Sequence, residues 1–210
     1  MTDITRRKAL TTGLAITLAS SAPWGQGGKP GAAPQPQAAP PPPQAAPAAQ
    51  PVPASTLTPE AVATRLSELG VRVRNQPVTV ADLAQLQSVR ISSPLSQQVT
   101  DADCAIFQHL PRLGSLDLAG ATRLTPAAFA TIARLPGVRF MDFALTPVGD
   151  AGLQALATVP ALEYLSLAGS LNITDAGMAH VRRIERLRSL NLTNHRGLTD
   201  AAIAALSGHP

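Results

Sequence analysis

The sequence predicts an α/β fold in which short parallel strands alternate with helices, preceded by a long segment that has no core. Three observations lead to this prediction. Apolar residues recur in fixed columns every 24 or 25 residues through the C-terminal half of the chain. Threonine stands just before the helical part of three of the four clearest repeats, as an N-cap residue does. Twelve of the 20 prolines fall between Pro23 and Pro59, which confines the foldable part to the region after them.

Residues 1–21 have the order of an export signal. Arg6 and Arg7 precede a mildly apolar stretch, Ala9–Ala19, and small residues follow as far as Ser21. The arginine pair resembles a twin-arginine signal, which exports folded proteins; the general secretory route is the alternative. A third interpretation is an unstructured N-terminus with a chance arginine pair. The signal predicts a periplasmic or secreted protein.

Residues 22–56 consist mainly of Pro, Ala, Gln and Gly, with four consecutive prolines from Pro40. Such a segment has almost nothing to bury against the entropy of folding, so it is expected to be a disordered tether. At about 3 Å per residue it would reach on the order of 80–100 Å. A proline-rich ligand for a partner domain is the less favoured interpretation.

Charge and cysteine content exclude several classes of protein. The net charge is +4, and loss of residues 1–21 removes three basic residues and one acidic residue, leaving +2. This is too little for a nucleic-acid-binding footprint. Cys104 is the single cysteine, so neither an internal disulfide nor a cysteine metal site is expected. No apolar run reaches the roughly 18 residues of a membrane-spanning helix.

Residues 99–210 carry the clear repeats, and residues 57–98 are either degenerate repeats or an N-terminal cap. In the clear repeats, three apolar columns at spacings of three and then two residues suit a short strand entered through a turn. These strand segments begin at Leu113, Val138, Leu162 and Leu187. The helical halves begin at Leu124, Val148, Ile173 and Leu198, with Thr125, Thr174 and Thr199 as N-caps. One unit cannot bury its apolar side alone, but stacked units can.

This pattern resembles the leucine-rich repeat family, in its bacterial and ribonuclease-inhibitor-like subtypes of about 24–26 residues. The segment Ile173–Met178 matches the family's I-T-D-x-G-M residue for residue. The resemblance implies a right-handed solenoid with a parallel sheet on its concave face and helices on its convex face. The family's interior Cys or Asn falls on Ala121, Thr146, Ser170 and His195. Small hydroxyls and waters are expected to take over its hydrogen bonds.

The outward-facing strand residues form the candidate binding surface. They fall into one row of Ser115, Phe140, Tyr164 and Ser189, and a second of Asp117, Asp142, Ser166 and Asn191. Two adjacent rings beside two adjacent carboxylates suit an anchor for a partner's basic or apolar side chain. The carboxylates should repel each other unless a basic side chain or a cation joins them. The alternative is that Phe140 packs over Tyr164 and only protects the sheet.

The remaining reactive residues favour structural roles. Cys104 falls in a core column, and His109, His180 and His209 are scattered over different repeats without a second ligand or a catalytic partner. The only basic cluster is expected to be a solvated outer face, with an anionic partner or lipid surface as the alternative. It consists of Arg182, Arg183, Arg186, Arg188 and Arg196. We therefore expect no enzyme, no metal and no cofactor.

The favoured function is an exported module that binds a protein or peptide, as the family resemblance implies. The alternatives are a secreted effector or adaptor that contacts host ubiquitin machinery, and an envelope-structural protein that uses its proline-rich arm; an enzyme comes third. Because no repeat follows the segment Arg188–Thr193, its strand is expected to be an open sheet edge. An open edge predicts a weak two-fold homodimer.

Overall fold

The computed structural model describes residues 57–170, 172–195, 197–207 and 209, together with the backbone of Ala15–Thr17. The predicted tether at 22–56 and the rest of the predicted export signal lie outside the described residues. Among the described residues, no helix is long and apolar enough to cross a membrane.

Eight short strands form two sheets among the described residues. In chain order they are β1 (Ala15–Thr17), β2 (Arg72–Val73), β3 (Gln76–Pro77), β4 (Ser88–Arg90), β5 (Ser115–Asp117), β6 (Phe140–Asp142), β7 (Tyr164–Ser166) and β8 (Ser189–Asn191). The larger sheet has the order β1-β8-β7-β6-β5-β4, and every neighbouring pair in it is parallel. The predicted parallel sheet is therefore confirmed.

A helix follows each strand of the repeats. The helices are α1 (Pro59–Glu68), α2 (Val80–Leu83), α3 (Asp101–Cys104), α4 (Pro126–Ile132), α5 (Gly149–Leu156), α6 (Asp175–Val181) and α7 (Asp200–Leu206). Two 3₁₀ helices cover Leu95–Gln98 and Ala105–His109. From α4 onward each helix packs against the next, so the strand–helix units stack in sequence order.

The core lies between the sheet and the helices. Cross-strand register places the central strand residues in one buried column of Leu116, Met141, Leu165 and Leu190. Phe129 on α4 meets Phe143 edge to face, with ring centroids 5.4 Å apart. Because each unit contributes one residue to every column, apolar burial is continuous along the stack.

The N-terminal part differs from the repeats. Residues 57–87 form α1, an antiparallel β2–β3 hairpin and α2, and they add no strand to the parallel sheet. The turn of the hairpin has positive φ angles at Arg74 and Asn75, as a tight hairpin connection requires. The next strand, β4, lies at one edge of the parallel sheet and pairs with β5.

The expectation of an open edge at Arg188–Thr193 is wrong for the full chain. β1 pairs in parallel with β8, and Ile16 lies in register with Leu190. Pairing at a sheet edge needs only free backbone groups, so a short extended segment far away in sequence can fill it. The open edge that suggested a homodimer is therefore covered.

Candidate functional site

The strand register creates the two rows of side chains that the sequence predicts. Ser115, Phe140, Tyr164 and Ser189 are successive cross-strand neighbours, as are Asp117, Asp142, Ser166 and Asn191. The residue between the two rows on each strand is buried in the core. Since side chains alternate between the faces of a strand, both rows lie on the face away from the helices.

A hollow of about 400 Å³ lies on this face. It is lined by Arg90, Ser115, Leu116, Asp117, Phe140, Met141, Asp142 and Tyr164. The structure thus brings together five of the eight predicted site residues. Ser166, Ser189 and Asn191 do not line the hollow, so the candidate site is centred on β5, β6 and β7.

Ser166 was expected to face a partner, and that expectation is wrong. The residue is only 1% exposed. Its cross-strand neighbours are the longer Asp142 and Asn191, and Nδ2 of Asn191 lies 3.5 Å from Oγ of Ser166. Oδ1 of Asn191 accepts hydrogen bonds from both the amide and the hydroxyl of Thr193, at 3.0 and 2.7 Å. This end of the row is occupied by internal contacts.

The two rings contact each other without covering the apolar surface. The centroids of Phe140 and Tyr164 are 6.3 Å apart and the ring planes are inclined by 35°. Phe140 nevertheless keeps 47% of its surface exposed. Packing over Tyr164 therefore accounts for only part of the Phe140 side chain, and an apolar ring remains open to a partner.

The two carboxylates differ in their partners. Oδ2 of Asp117 lies 2.9 Å from Nε of Arg90, so a basic side chain does join this carboxylate. Asp142 makes no ion pair with any other described residue. Each carboxylate also accepts a backbone amide two residues later, from Ala119 at 3.2 Å and from Ala144 at 2.9 Å. The hollow therefore holds one compensated and one uncompensated negative charge.

Arg90 is a site residue that the sequence interpretation missed. It lies in the degenerate part of the chain, where the repeat pattern is weak. The pairing of β4 with β5 places Arg90 opposite Asp117. One feature of the sequence could have identified Arg90. It directly follows Val89, just as Asp117 directly follows the core residue Leu116.

Leu145 is a second missed residue, at the turn that ends β6. The equivalent turn positions are Gly120, Gly169 and Asn194, and all four residues have positive φ angles. This conformation is easy for Gly, tolerable for Asn and disfavoured for Leu. Leu145 is also 65% exposed. Its amide donates to Ala168 O at 2.7 Å.

Gly169 makes room for the Leu145 side chain. A Cβ atom on Gly169 would come within 2.6 Å of Cδ2 of Leu145. The missing side chain in the next repeat thus lets Leu145 lie across the end of β7. An exposed Leu in a glycine column is the sequence signal that identifies this position.

Small hydroxyls take over the hydrogen bonds at two of the four interior positions, Thr146 and Ser170, while His195 uses its ring and Ala121 has no polar side chain. The Thr146 hydroxyl donates to Phe143 O, and the Ser170 hydroxyl donates to the same carbonyl at 3.1 Å. Nε2 of His195 donates to Leu167 O at 2.7 Å. Burial lowers the pKa of His195, which favours the neutral ring and a structural role.

The Thr–Asp pairs join neighbouring repeats. The carboxylates of Asp101, Asp150 and Asp175 each accept both the amide and the hydroxyl hydrogen of a threonine 24 residues later, namely Thr125, Thr174 and Thr199. The threonines are N-caps, as predicted. The Asp bridge was not predicted from the sequence. One repeat has Pro126 at the position of the bridging Asp. The following repeat has Gly149 at the position of the Thr that would bind it.

The other reactive residues lie apart from the hollow. Cys104 is fully buried, and burial raises the pKa of its thiol, so it is unreactive. His109 is exposed, whereas His209 is buried with Nε2 2.9 Å from Ile184 O. No group of three or more potential metal ligands occurs in the part of the chain that is described. Arg182, Arg183, Arg186 and Arg188 are exposed, and Arg196 lies outside the described residues.

Neither a protein-family model nor a curated protein matches the chain. Among solved structures, the chain is similar to internalin C2, a leucine-rich repeat protein of Listeria monocytogenes strain 4b F2365, with 18% sequence identity and a TM-score of 0.46. The alignment covers 70% of this chain and 61% of internalin C2. The chain therefore corresponds to less than two thirds of that protein.

Proposed function

We propose that this chain is an exported leucine-rich repeat module, a right-handed solenoid that binds a protein or peptide through its concave sheet. The observation that carries the proposal is the exposed ring of Phe140 beside the uncompensated carboxylate of Asp142, in one hollow. Stacked repeats present such a sheet as an extended binding surface.

The strand does not need an aromatic residue at this position. Ser115 and Ser189 occupy the same place on β5 and β8, and serine there leaves those strands paired in the same register. An exposed apolar patch with a polar rim is typical of a binding site, and aromatic residues are enriched among the side chains that dominate binding energy. Burial of Phe140 by a partner would account for an aromatic residue that the isolated fold does not need at this position.

The proposal includes no enzymatic activity and no cofactor. The polar groups of the hollow are two carboxylates, one guanidinium, one serine hydroxyl and one tyrosine hydroxyl. Catalysis by a serine nucleophile needs a base within hydrogen-bonding reach, and none of the hydrogen bonds of Ser115 in the described structure goes to such a base.

Export to the periplasm or the medium is also proposed, by the twin-arginine route. Its test is the localisation of the tagged full chain beside the Arg6→Lys/Arg7→Lys variant, with mass spectrometry of the N-terminus. We expect exported protein that lacks residues 1–21, and loss of export in the variant. Exported protein that still begins at Met1 or Thr2 would contradict the proposal.

The binding function is tested with three immobilised full-length proteins. They are the wild type, Phe140→Ser and Gln154→Ala; Gln154 is exposed on α5, on the opposite side of the sheet. A partner that is recovered from envelope extract by the wild type and Gln154→Ala, but lost with Phe140→Ser, supports binding at the concave face. A partner that Phe140→Ser retains in full, and Gln154→Ala loses, would show that the helical side binds instead.

A further inference from the structure

The geometry of β6 points to one class of ligand: an extended peptide segment with a basic side chain between two apolar side chains. This inference rests on the concave-face binding proposed above and specifies its partner. The strand and its turn would bind three side chains of the peptide in order. Phe140 would contact the first apolar side chain, Asp142 would pair with the basic one, and Leu145 would contact the second apolar one.

The basic side chain follows from the distribution of charge. Arg90 neutralises Asp117, whereas Asp142 has no ion-pair partner within the described structure. Asp142 uses Oδ1 for the Ala144 amide, which leaves Oδ2 for a donor from outside. Phe140 and Asp142 are two residues apart on one strand face, roughly 7 Å along the strand. A guanidinium or ammonium group there can pair with the carboxylate and contact the face of the ring.

The two apolar side chains follow from the distribution of exposed hydrophobic residues. Four large apolar side chains are exposed among the described residues, namely Leu57, Val80, Phe140 and Leu145. Two of these four belong to one repeat: Phe140 begins β6, and Leu145 lies in the turn after it, three residues beyond Asp142. Phe140 and Leu145 are five residues apart, and because the last two residues lie in a turn, the two side chains are separated by less than the roughly 16 Å that five extended residues would span. An extended peptide of at most about five or six residues therefore spans both side chains.

The backbone at Leu145 supports a binding role. Its φ of +57° is one that Leu disfavours, while three equivalent turns use Gly or Asn. The side chain contributes little to the core because most of its surface is exposed. A residue that strains its own turn without filling the core is accounted for by contact with a partner.

The chain itself offers matched replacements for each of the three positions. Asp142→Asn copies Asn191, which retains a hydrogen bond to the amide two residues later, and removes only the charge. Leu145→Gly copies Gly120 and Gly169, and Phe140→Ser copies Ser115 and Ser189. Asp200→Asn is the matched control for Asp142→Asn, because Asp200 is exposed at the start of α7, on the helical side and away from the hollow.

The experiment is a selection of random twelve-residue displayed peptides on the immobilised full chain, followed by fluorescence anisotropy with the strongest labelled peptide. We expect enriched peptides to carry Arg or Lys with an apolar residue two or three positions away on each side. Asp142→Asn, Leu145→Gly and Phe140→Ser should each weaken binding about five- to tenfold. Asp200→Asn and Gln154→Ala should change it less than about twofold.

A double-mutant cycle tests the central contact directly. Replacing the basic residue of the peptide by Gln should weaken its binding to the wild type by the same factor as Asp142→Asn. The same peptide change should have no further effect on the Asp142→Asn protein. Additive losses in the cycle would show that the basic residue binds elsewhere and would overturn the inference.

The outcomes also separate this inference from the proposed function. Enrichment of acidic or purely apolar peptides that bind the wild type but not Phe140→Ser would overturn the ligand class and leave the concave face as the binding surface. Peptides that bind Phe140→Ser, Leu145→Gly and the wild type equally would overturn both. Failure of any peptide to be enriched would overturn the inference alone, since a folded partner surface could still bind the sheet.

Discussion

Removal of the Asp103 carboxylate should destabilise the junction between the N-terminal helix and the repeats. Asp103 lies in α3 and its side chain is only 7% exposed. It accepts hydrogen bonds from Nε and Nη2 of Arg65 on α1, at 2.7 and 3.2 Å. It also accepts the amide and the hydroxyl of Thr100, at 2.8 and 2.9 Å. The Asp103 carboxylate thus joins α1 to α3 and also completes the N-terminal cap of α3.

The size of the effect follows from these contacts. A hydrogen bond to a charged group contributes about 1.5–3 kcal/mol, and breaking a buried ion pair costs about 3–5 kcal/mol. The Arg65 side chain is 35% exposed, so water can replace part of the lost interaction. We therefore expect Asp103→Ala to lower the free energy of unfolding by about 2–3 kcal/mol. This corresponds to a fall in Tm of roughly 5–10 °C.

The effect should depend on pH with a definite sign. Burial opposes ionisation of Asp103, but the hydrogen bonds from Arg65 and Thr100 outweigh it and hold the pKa below its ordinary value. Since the folded-state pKa is the lower one, the stabilisation is complete above the ordinary aspartate pKa of about 4. It is lost as the pH falls through the folded-state value. The difference in Tm between wild type and Asp103→Ala should therefore shrink on acidification below about pH 4.

The assay is thermal unfolding by circular dichroism from pH 7 to pH 2, together with hydrogen exchange of the α1 amides. Glu68→Ala is the matched control, because Glu68 pairs with the same Arg65 at 3.0 Å but is 57% exposed. We expect that control to cost less than about 1 kcal/mol. Equal losses for the two variants, or a loss for Asp103→Ala that does not change with pH, would refute the reasoning.

Four further predictions address the core, the concave face and the sheet edge. Leu165→Ala removes a fully buried side chain and should cost about 2–5 kcal/mol in urea unfolding. Leu145→Gly should be more stable than Leu145→Ala by about 1 kcal/mol in the same assay, because only Ala keeps a Cβ at positive φ. The double change of Asp117 and Asp142 to Asn should keep Tm within a few degrees of wild type, since the amides two residues later keep an acceptor. The corresponding double Ala variant should melt lower. A chain that begins at residue 22 lacks β1, so amide exchange in β8 should accelerate and sedimentation should show weak self-association that the full chain does not show.

The repeated columns made the sheet and its register predictable from sequence. Once Leu116, Met141 and Leu165 are placed in one column, the offset of 24 or 25 residues also places the residues beside them. The neighbours Phe140 and Tyr164 follow from this arithmetic without any knowledge of side-chain packing. A register shift by one residue would turn the apolar columns toward solvent, which is why the pattern fixes the pairing so firmly.

The contacts that side chains make across neighbouring strands could not be predicted from the repeated columns. Ser166 lies on the outward face, as its register requires, yet it is covered because Asp142 and Asn191 are longer. Arg90 compensates Asp117 from a strand whose repeat is degenerate. Both results depend on how far neighbouring side chains extend across the sheet, and a column of residue types does not contain that information.

The bridge between repeats shows how adjacency in sequence can mislead. Thr174 and Asp175 are neighbours in the chain, and their order is that of a helix N-terminus, which by itself predicts that both residues serve the same helix. The carboxylate of Asp175 instead binds the threonine of the next repeat. The sequence holds one hint of this pairing, since the loss of Asp at Pro126 coincides with the loss of Thr at Gly149.

The covered edge of β8 has a different physical origin from the rest of the fold. Core columns specify their partners by shape and by apolar area, so they leave a periodic trace in the sequence. A strand edge offers only amides and carbonyls, which any short extended segment can satisfy. The backbone of Ile16 lies in register with Leu190, and three residues are too short a pattern to find by periodicity. The end of the sheet thus depends on a segment outside the repeats, and the same segment belongs to the predicted export signal. If residues 1–21 are removed, the edge loses its neighbouring strand while every column between β4 and β8 is kept.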